Sequence, residues 1–497
     1  MRLKTVNKFV IGILCGVLVS LSIYSFADND SSVTGTTSSG NAAIPVDEIN
    51  NFAKVYAITK SYYVESVTDN KLIKGAINGM LTNLDPHSTY LDQDDFKQLT
   101  EMTTGSFAGL GIEVNREKDD SGIKIIAPID GTPAYLAGIK SGDIIIKIDG
   151  QPVSGLTLDD AVKKMRGKVG TKVTLTISRK SELKPLEFTL TRANIAVKSI
   201  KYAMLAPGYA YIRVTDFQSD TVTNLVSTLK ILAKQNPNLK GLVLDLRDDP
   251  GGILQAAVGT AGAFLAQNDL VVYTSGRAPN SSQKFFDNPE YYTLADDGSK
   301  GDPLAQEPVL FKTLPMVVLV NQGTASAAEI VSGALQDYKR AKIIGTTTFG
   351  KGSVQTVIPL SADTAIKLTT ALYYTPKGRS IQAQGIKPDI IVHSEYDDLY
   401  DSWDISEASL DNHLNNPTTV QVSKDKDNTP IITPPQQIST QAQLKAKIKE
   451  QLNKTPKVVD QNIANLDIKN DFQLQWALNI IQGKPLPKQN VAKLVAQ

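Results

Sequence analysis

Apolar positions recur along this chain with two different periods, and the changes of period divide it. Val46, Ile49, Phe52, Ala53 and Tyr56 fall at helical spacing, as do Leu72, Ile73, Ala76, Ile77 and Met80, so a helical region is expected over 46–101. Over 102–192 the pattern shortens to β-type runs broken by glycine turns. The runs are Gly109-Leu-Gly111-Ile-Glu-Val114, Ile123-Lys-Ile-Ile126, Asp143-Ile-Ile-Ile-Lys-Ile148 and Lys172-Val-Thr-Leu-Thr-Ile177, with one helix over Leu158–Arg166. From Gly208 to about Val392 apolar strands (Tyr209–Val214, Gly241–Arg247, Met316–Val320, Ala341–Gly345) alternate with helices (Thr221–Leu232, Leu254–Leu265, Ala327–Leu335). Such strands are buried on both faces, so this part is expected to be a layered α/β domain over 193–393, with ligands gathered beyond its strand C-termini. An Asp/Ser/Pro-rich linker over 394–440 leads to a C-terminal helical region, 441–497, with helical patches over Gln441–Leu452 and Asp471–Ile481.

The first residues change the picture of where the chain works. Arg2, Lys4 and Lys8 precede an apolar stretch from Phe9 to Phe26, and Ser25-Phe26-Ala27 has the small-x-small form of a cleavage site. Residues 1–27 are therefore read as a secretory signal, the alternative being an uncleaved anchor. A Ser/Thr/Gly-rich tether is expected over 28–45. Cys15, the sole cysteine, lies inside the apolar stretch, so no disulfide is expected in an exported, periplasmic chain. A net charge of +1 with no basic block argues against nucleic acid as partner. No cofactor and no metal are expected.

Candidate chemistry concentrates in Gly323-Thr-Ala-Ser326-Ala-Ala-Glu329 and Phe349-Gly-Lys351-Gly-Ser-Val-Gln355. Ser326 stands between an apolar strand and a helix, where the first helical N–H groups favour an anion. Alone, it reads as a plain N-cap, and Lys351 alone reads as a surface charge. Together they offer a nucleophile and a base that needs no histidine, in a chain with only three histidines. Lys351 must lose ammonium character by burial to serve near neutral pH; Phe349 and Val354 are candidate sources of that burial. Gln355, four residues on, is expected on the lysine's side of a strand, its amide orienting the amine. Gly252, after Pro250, and the N–H of Ala327 are candidate oxyanion donors. His87, in Asp85-Pro-His87-Ser-Thr-Tyr90, reads as a capping or packing histidine.

The ordered set Gly109-Leu-Gly111, Ala134-Tyr-Leu-Ala-Gly138-Ile, Gly142-Asp-Ile and Ile148-Asp-Gly150 resembles a PDZ domain. That implies a loop, Leu110, Gly111 and Ile112, whose backbone N–H groups meet a peptide's C-terminal carboxylate while the peptide adds as a strand. Taken with Leu84–Tyr90, Leu244-Asp-Leu-Arg247…Pro250-Gly-Gly252 and the serine and lysine segments, the whole chain resembles the carboxy-terminal processing proteases, the tail-specific serine–lysine peptidases. The resemblance implies a multidomain α+β chain with a crotonase-like β/α-spiral protease core, a PDZ domain and helical N- and C-terminal regions. It implies Ser326 as nucleophile, Lys351 as general base and Gln355 as its orienter, with Gly252 and Ala327 forming the oxyanion hole of an acyl-enzyme route. In some members the position of Arg166 senses ligand and contacts the catalytic region. Asp248-Asp249 departs from the family's usual asparagines or glycine and adds charge beside the glycine turn. The expected partners are protein or peptide substrates with accessible C-termini, an adaptor protein and further copies of the chain. The competing readings are a non-catalytic PDZ scaffold with a degenerate hydrolase domain and a crotonase-like acyl-thioester enzyme.

Overall fold

The computed structural model of the chain describes residues 45–116, 122–129, 131–294, 301–393, 406–417, 468 and 471–486. The expected signal segment, nearly all of the tether, most of the linker and the helical patch at 441–452 lie outside the described residues.

The N-terminal region contains α1 (Val46–Tyr62), α2 (Asp69–Thr82), β1 (Thr89–Leu91) and α3 (Gln93–Thr104). Thr68 caps α2 and Asp92 caps α3 through their side chains, satisfying first-turn N–H groups. The helical period of α1 is real, yet its apolar face is uncovered: Ile49 is 52% and Phe52 45% exposed. After β2 (Ser106–Gly109) the chain builds a second unit from β3 (Ile112–Arg116), β4 (Ile123–Pro128), α4 (Pro133–Leu136), β5 (Ile144–Ile148), β6 (Gln151–Pro152), α5 (Leu158–Met165), β7 (Lys172–Ser178) and β8 (Leu186–Thr191). The strands form an antiparallel sheet in the order β3-β4-β5-β7-β8, with β6 on β5. Alternate residues Ile123 and Ile125, and Val173, Leu175 and Ile177, point into its core beside Ala161 and Met165 of α5. The chain leaves through β9 (Ala193–Ala196), which pairs antiparallel with β2.

The core opens with β10 (Ile200–Ala206), β11 (Tyr209–Val214), α6 (Thr221–Gln235), β12 (Gly241–Asp245), α7 (Leu254–Gly262), β13 (Leu270–Ser275), β14 (Lys284–Phe286) and the short turns α8 (Pro289–Tyr292) and α9 (Leu310–Thr313). It continues with β15 (Met316–Val320), α10 (Ala327–Asp337), β16 (Lys342–Gly345), β17 (Ser353–Pro359), β18 (Ala365–Tyr374), β19 (Ile390–Ile391) and a final helix, α11 (Phe472–Gln482). One sheet runs β10-β11-β12-β15-β16-β19, parallel except for β10. Every residue of β12 and β15 is buried. Leu242, Leu244 and Val318 face α6, α7 and α10, while Val243, Val317 and Leu319 face Leu474 and Ala477 of α11. Both faces are thus covered, which explains the unbroken apolar runs.

The alternation expected up to Val392 omits a second, antiparallel sheet, β1-β18-β13-β14 with β17 on β18. Its hairpin β17–β18 is half-buried and mixes Thr, Gln and Lys with apolar residues, so it carries no continuous apolar signal. This sheet matters most here, because Lys351 leads into β17 and Gln355 lies on it.

Candidate active site

Adjacent parallel strands β12 and β15 deliver two loops to the same end of the sheet, and polar bonds lock them together. Thr324 Oγ1 donates to Leu246 O at 2.7 Å, Ala325 N to Asp249 O at 2.9 Å, and Asn321 Nδ2 to Asp248 Oδ1 at 2.8 Å. Both aspartates of the pair also organise the glycine turn. Asp249 is buried, burial pushes its carboxyl well above the usual carboxylate range, and its Oδ1 accepts from Gly251 N at 2.8 Å.

Ser326 is the residue before α10, but it does not act as an ordinary cap. Its backbone sits at φ 53°, ψ −115°, a conformation that costs a non-glycine residue about 1–3 kcal/mol and persists only where its surroundings enforce it. Gly251 presses against this bend at φ 95°, and a Cβ there would lie 2.8 Å from Ser326 Cβ, Ala327 N and Ala325 O. Only glycine permits that approach. Among the described residues neither Gly252 N nor Ala327 N has an acceptor, so two N–H groups beside Ser326 stay available.

Lys351 arrives from the other sheet, and a buried carboxylate ties it to the serine. Glu329 Oε2 accepts from Ser326 N and from Lys351 N, each at 2.9 Å, while Oε1 accepts from Gly350 N at 2.8 Å and from the Thr348 hydroxyl. Four donors saturate an ionised carboxylate, and burial opposes them, raising the carboxyl to about 7. The buried Tyr373 hydroxyl adds a second tie, 3.0 Å from the Ser326 carbonyl and hydrogen-bonded to that of Lys351. Burial, with Lys367 second, lowers the Lys351 ammonium to about 8 against the pull of Glu407, Glu329 and Asp85, which favour the cation. No hydrogen bond joins Ser326 Oγ to Lys351 Nζ among the described residues; the two are brought together through their backbones.

Gln355 sits differently from the strand-face expectation. Lys351 lies before β17, which starts at Ser353, so strand alternation does not relate its side chain to that of Gln355. The Gln355 amide donates to Ser353 Oγ at 3.0 Å and to Thr369 Oγ1 at 3.2 Å, with no bond to Lys351. Val354 packs on the core beside the lysine segment. Glu329 and Tyr373 were not singled out by sequence. The spacing Ser326-x-x-Glu329 carries the sign of a carboxylate reaching back to its own helix start, whereas nothing marked Tyr373. Among the described residues no group of three or more His, Cys, Asp and Glu is placed to hold a metal.

Known proteins match this architecture part by part. The model "Peptidase family S41" matches residues 208–392, "PDZ domain" residues 98–178 and "Activating protease CtpB N-terminal domain" residues 13–95. The carboxy-terminal-processing protease of Bartonella bacilliformis is 42% identical over 409 residues, 82% of this chain and 88% of that protein. The chain belongs to the carboxy-terminal processing proteases of peptidase family S41. It is a serine-type peptidase with a PDZ domain. The carboxy-terminal processing protease CtpA of Bacillus subtilis is 36% identical over 389 residues, 78% of each chain. Among solved structures, a photosystem II D1 C-terminal processing protease is 29% identical, covering 68% of this chain and 86% of that one, with a TM-score of 0.39.

In this protease the PDZ loop presents Leu110 buried in the domain core and Gly111 at φ 75°, where a Cβ would lie 2.3 Å from the Thr132 side chain. The loop's carbonyls are occupied, Leu110 O by Ala134 N at 3.1 Å and Gly111 O by Ile129 N at 2.9 Å, while Leu110 N and Gly111 N have no acceptor among the described residues. Ile112 begins β3, which among the described residues pairs with no strand but β4. Arg166, the residue after α5, makes no bond to the serine or lysine segments among the described residues. Its Nη1 bonds Glu101 Oε2 of α3 at 2.5 Å and its guanidinium covers the Phe107 ring of β2 at 4.8 Å, tying the end of α5 to α3 and β2.

Proposed function

We propose that the protease cleaves by an acyl-enzyme route in which Ser326 is the nucleophile and Lys351 the general base. The observation that carries this reading is the shared clamp: Glu329 accepts from the backbone N–H of both residues, the Tyr373 hydroxyl lies against both carbonyls with its one proton to share, and the clamped lysine has lost much of its proton affinity. Neutral Lys351 takes the Ser326 hydroxyl proton as Oγ bonds to the scissile carbonyl carbon. The oxyanion is received by the N–H groups of Gly252 and Ala327. The lysine then protonates the leaving amine, and the first product departs. In the second half Lys351 takes a proton from water, whose oxygen attacks the Ser326 ester; the ester C–Oγ bond breaks, Lys351 returns the proton to Ser326 Oγ, and the new carboxyl end is released. Gln355 completes the triad through the strand that carries it. The serine–lysine contact tightens when substrate fills the site.

The PDZ domain delivers the substrate's C-terminal segment, its carboxylate on Leu110, Gly111 and Ile112 and its backbone on the edge of β3. The core is a crotonase-like β/α spiral. The basic-then-apolar start of the chain supports export to the periplasm, with an anchor retained if that segment is not cleaved. The uncovered face of α1 supports self-association, and an adaptor protein is the further expected partner.

Casein digestion by wild type, Ser326→Ala and Lys351→Ala tests the mechanism. Both variants should lose turnover while still binding peptide, and the wild-type rate should rise through about pH 8, where Lys351 deprotonates, and level off above it. Equal turnover by wild type and either variant would overturn the assignment.

A further inference from the structure

The loop Asp85-Pro-His87-Ser88 belongs to the N-terminal region, yet its polar atoms end in the segment that bears Lys351 and Gln355. Asp85 is buried; its Oδ1 accepts from His87 N at 2.9 Å, Ser88 N at 3.0 Å and Thr369 Oγ1 at 3.0 Å, and its Oδ2 accepts from Ser88 Oγ at 2.6 Å. Ser88 Oγ in turn accepts from Thr369 N at 3.0 Å, and Thr369 Oγ1 accepts from Gln355 Nε2 at 3.2 Å. At the residue after Ser88, β1 begins and pairs with β18, Thr89 opposite Lys367, adding the loop to the catalytic sheet as an edge strand.

The second arm runs through His87. Its Nε2 lies 2.8 Å and 3.0 Å from the two oxygens of Glu407, a fully buried carboxylate. A carboxylate only accepts, so the ring proton sits on Nε2. Glu407 Oε1 also accepts from Gln382 Nε2 at 2.9 Å, and Gln382 Oε1 accepts from Gly352 N at 2.9 Å. The backbone N of Glu407 donates to Phe349 O at 2.9 Å. Phe349 and Gly352, on either side of the Gly350-Lys351 step, are therefore both held through the group that His87 grips.

We propose that Asp85, His87 and Glu407 are positioning residues for the lysine base, so that the N-terminal region completes the active site. A half-buried histidine on a fully buried carboxylate is a costly way to fill space, since apolar side chains would do it at less desolvation cost. Its value lies in direction: it fixes the peptide planes flanking Lys351 and sets the charge the amine feels. The groups facing that amine are Glu407, Glu329 of α10, Asp85 of the loop and Lys367 of β18, with the Tyr373 hydroxyl on the lysine's own carbonyl.

This inference rests on Lys351 being the base, and the experiment separates the two claims. Full-length His87→Ala, His87→Gln and Glu407→Gln are compared with wild type and Lys351→Ala, reading kcat, KM, thermal midpoint and the pH at which kcat rises. His87→Ala should lower kcat about tenfold or more with KM little changed, the cost of misplacing a catalytic group. His87→Gln, which keeps an N–H toward Glu407, should recover most of that loss. Glu407→Gln removes a carboxylate that favours the lysine's cation, so the rising limb should move to lower pH by about half a unit or more. A role in folding alone would lower the thermal midpoint and leave the limb in place, and that outcome overturns the proposal. So does wild-type kcat in His87→Ala. If His87→Ala does not fold, the limb of Glu407→Gln decides. Retained turnover in Lys351→Ala instead removes the base assignment itself.

Discussion

Two loops in this protease hold backbone N–H groups free beside a glycine at positive φ, and they are built in opposite ways. Around Gly251 and Gly252 the turn is braced from every side: by Asp249 from below, by the Ser326 bend against Gly251, and by Phe217, whose N donates to Gly251 O at 2.9 Å and whose O accepts from Ile253 N at 2.8 Å. Around Leu110 and Gly111 the carbonyls are tied within the PDZ domain, Thr132 closes one side, and among the described residues no strand pairs with the second edge of β3. A developing oxyanion needs donors that do not move when charge appears. A peptide tail needs an accessible strand edge, with one fixed point for its terminus. The core spends buried polar groups on rigidity, and the PDZ domain keeps an edge free for a partner.

The sharpest way to break this comparison is to loosen the braced side. Glu329→Gln keeps the size of the side chain but presents an NH2 group where two oxygens now receive four donors, so at least one pair becomes donor against donor. Ser326 and Lys351 then lose their common anchor. Turnover should fall by about 10² or more, as expected when reacting groups shift by about an ångström, while peptide affinity at the PDZ domain stays at the wild-type level. Steady-state kinetics beside a peptide-binding titration checks this. Turnover within twofold of wild type would show that Tyr373 and the strands alone hold the pair.

The same contrast explains what could be read from the sequence. Strands β11, β12 and β15 and helices α6, α7 and α10 announce themselves because both faces of the parallel sheet are buried and the apolar runs are continuous. The serine and lysine were legible from residue type and glycine setting. Their physical link was not, because it runs through groups scattered along the chain: Tyr373 in a half-buried strand, and Glu407 lying 320 residues from the His87 it binds. His87 itself read as a cap or a packing residue, since no local pattern shows a partner so distant. Gln355 could be placed on a strand but not related to the lysine, because Lys351 lies before β17, where the alternation on which the expectation relied does not apply. Where α1 is concerned the helical period was plain, and only the structure shows that its apolar face has no cover.

A smaller effect tests whether the braced centre is held at the expense of stability. The folded-state pKa of Lys351 is lowered from 10.5 to about 8. Below pH 8 the native state must bury an ammonium that the unfolded chain leaves in water, so the full penalty is present there. Between pH 8 and 10.5 the unfolded chain binds more protons than the native state, and stability rises with pH. Lys351→Met removes the titrating group and should stabilise the protein by about 2–3 kcal/mol at pH 6–7, with the gain fading toward pH 10–11. Denaturant melts at four pH values measure it. A gain that does not depend on pH would locate the benefit in packing.

The smallest expected effect probes the open loop. Valine at Gly111 meets two obstacles: φ 75° is unfavourable for a β-branched residue, and its Cβ would lie 2.3 Å from the Thr132 side chain. The loop must shift, and the free N–H groups of Leu110 and Gly111 lose their common aim. A Ser326→Ala background prevents turnover while binding is measured by fluorescence anisotropy. A peptide ending in a free carboxylate should bind that protein about tenfold more tightly than the same peptide ending in an amide, as a charge-assisted contact worth about 1.5 kcal/mol predicts. Gly111→Val should erase the difference by weakening only the carboxylate peptide. If the preference survives, the carboxylate is held elsewhere along β3, and the two glycine loops cease to be counterparts.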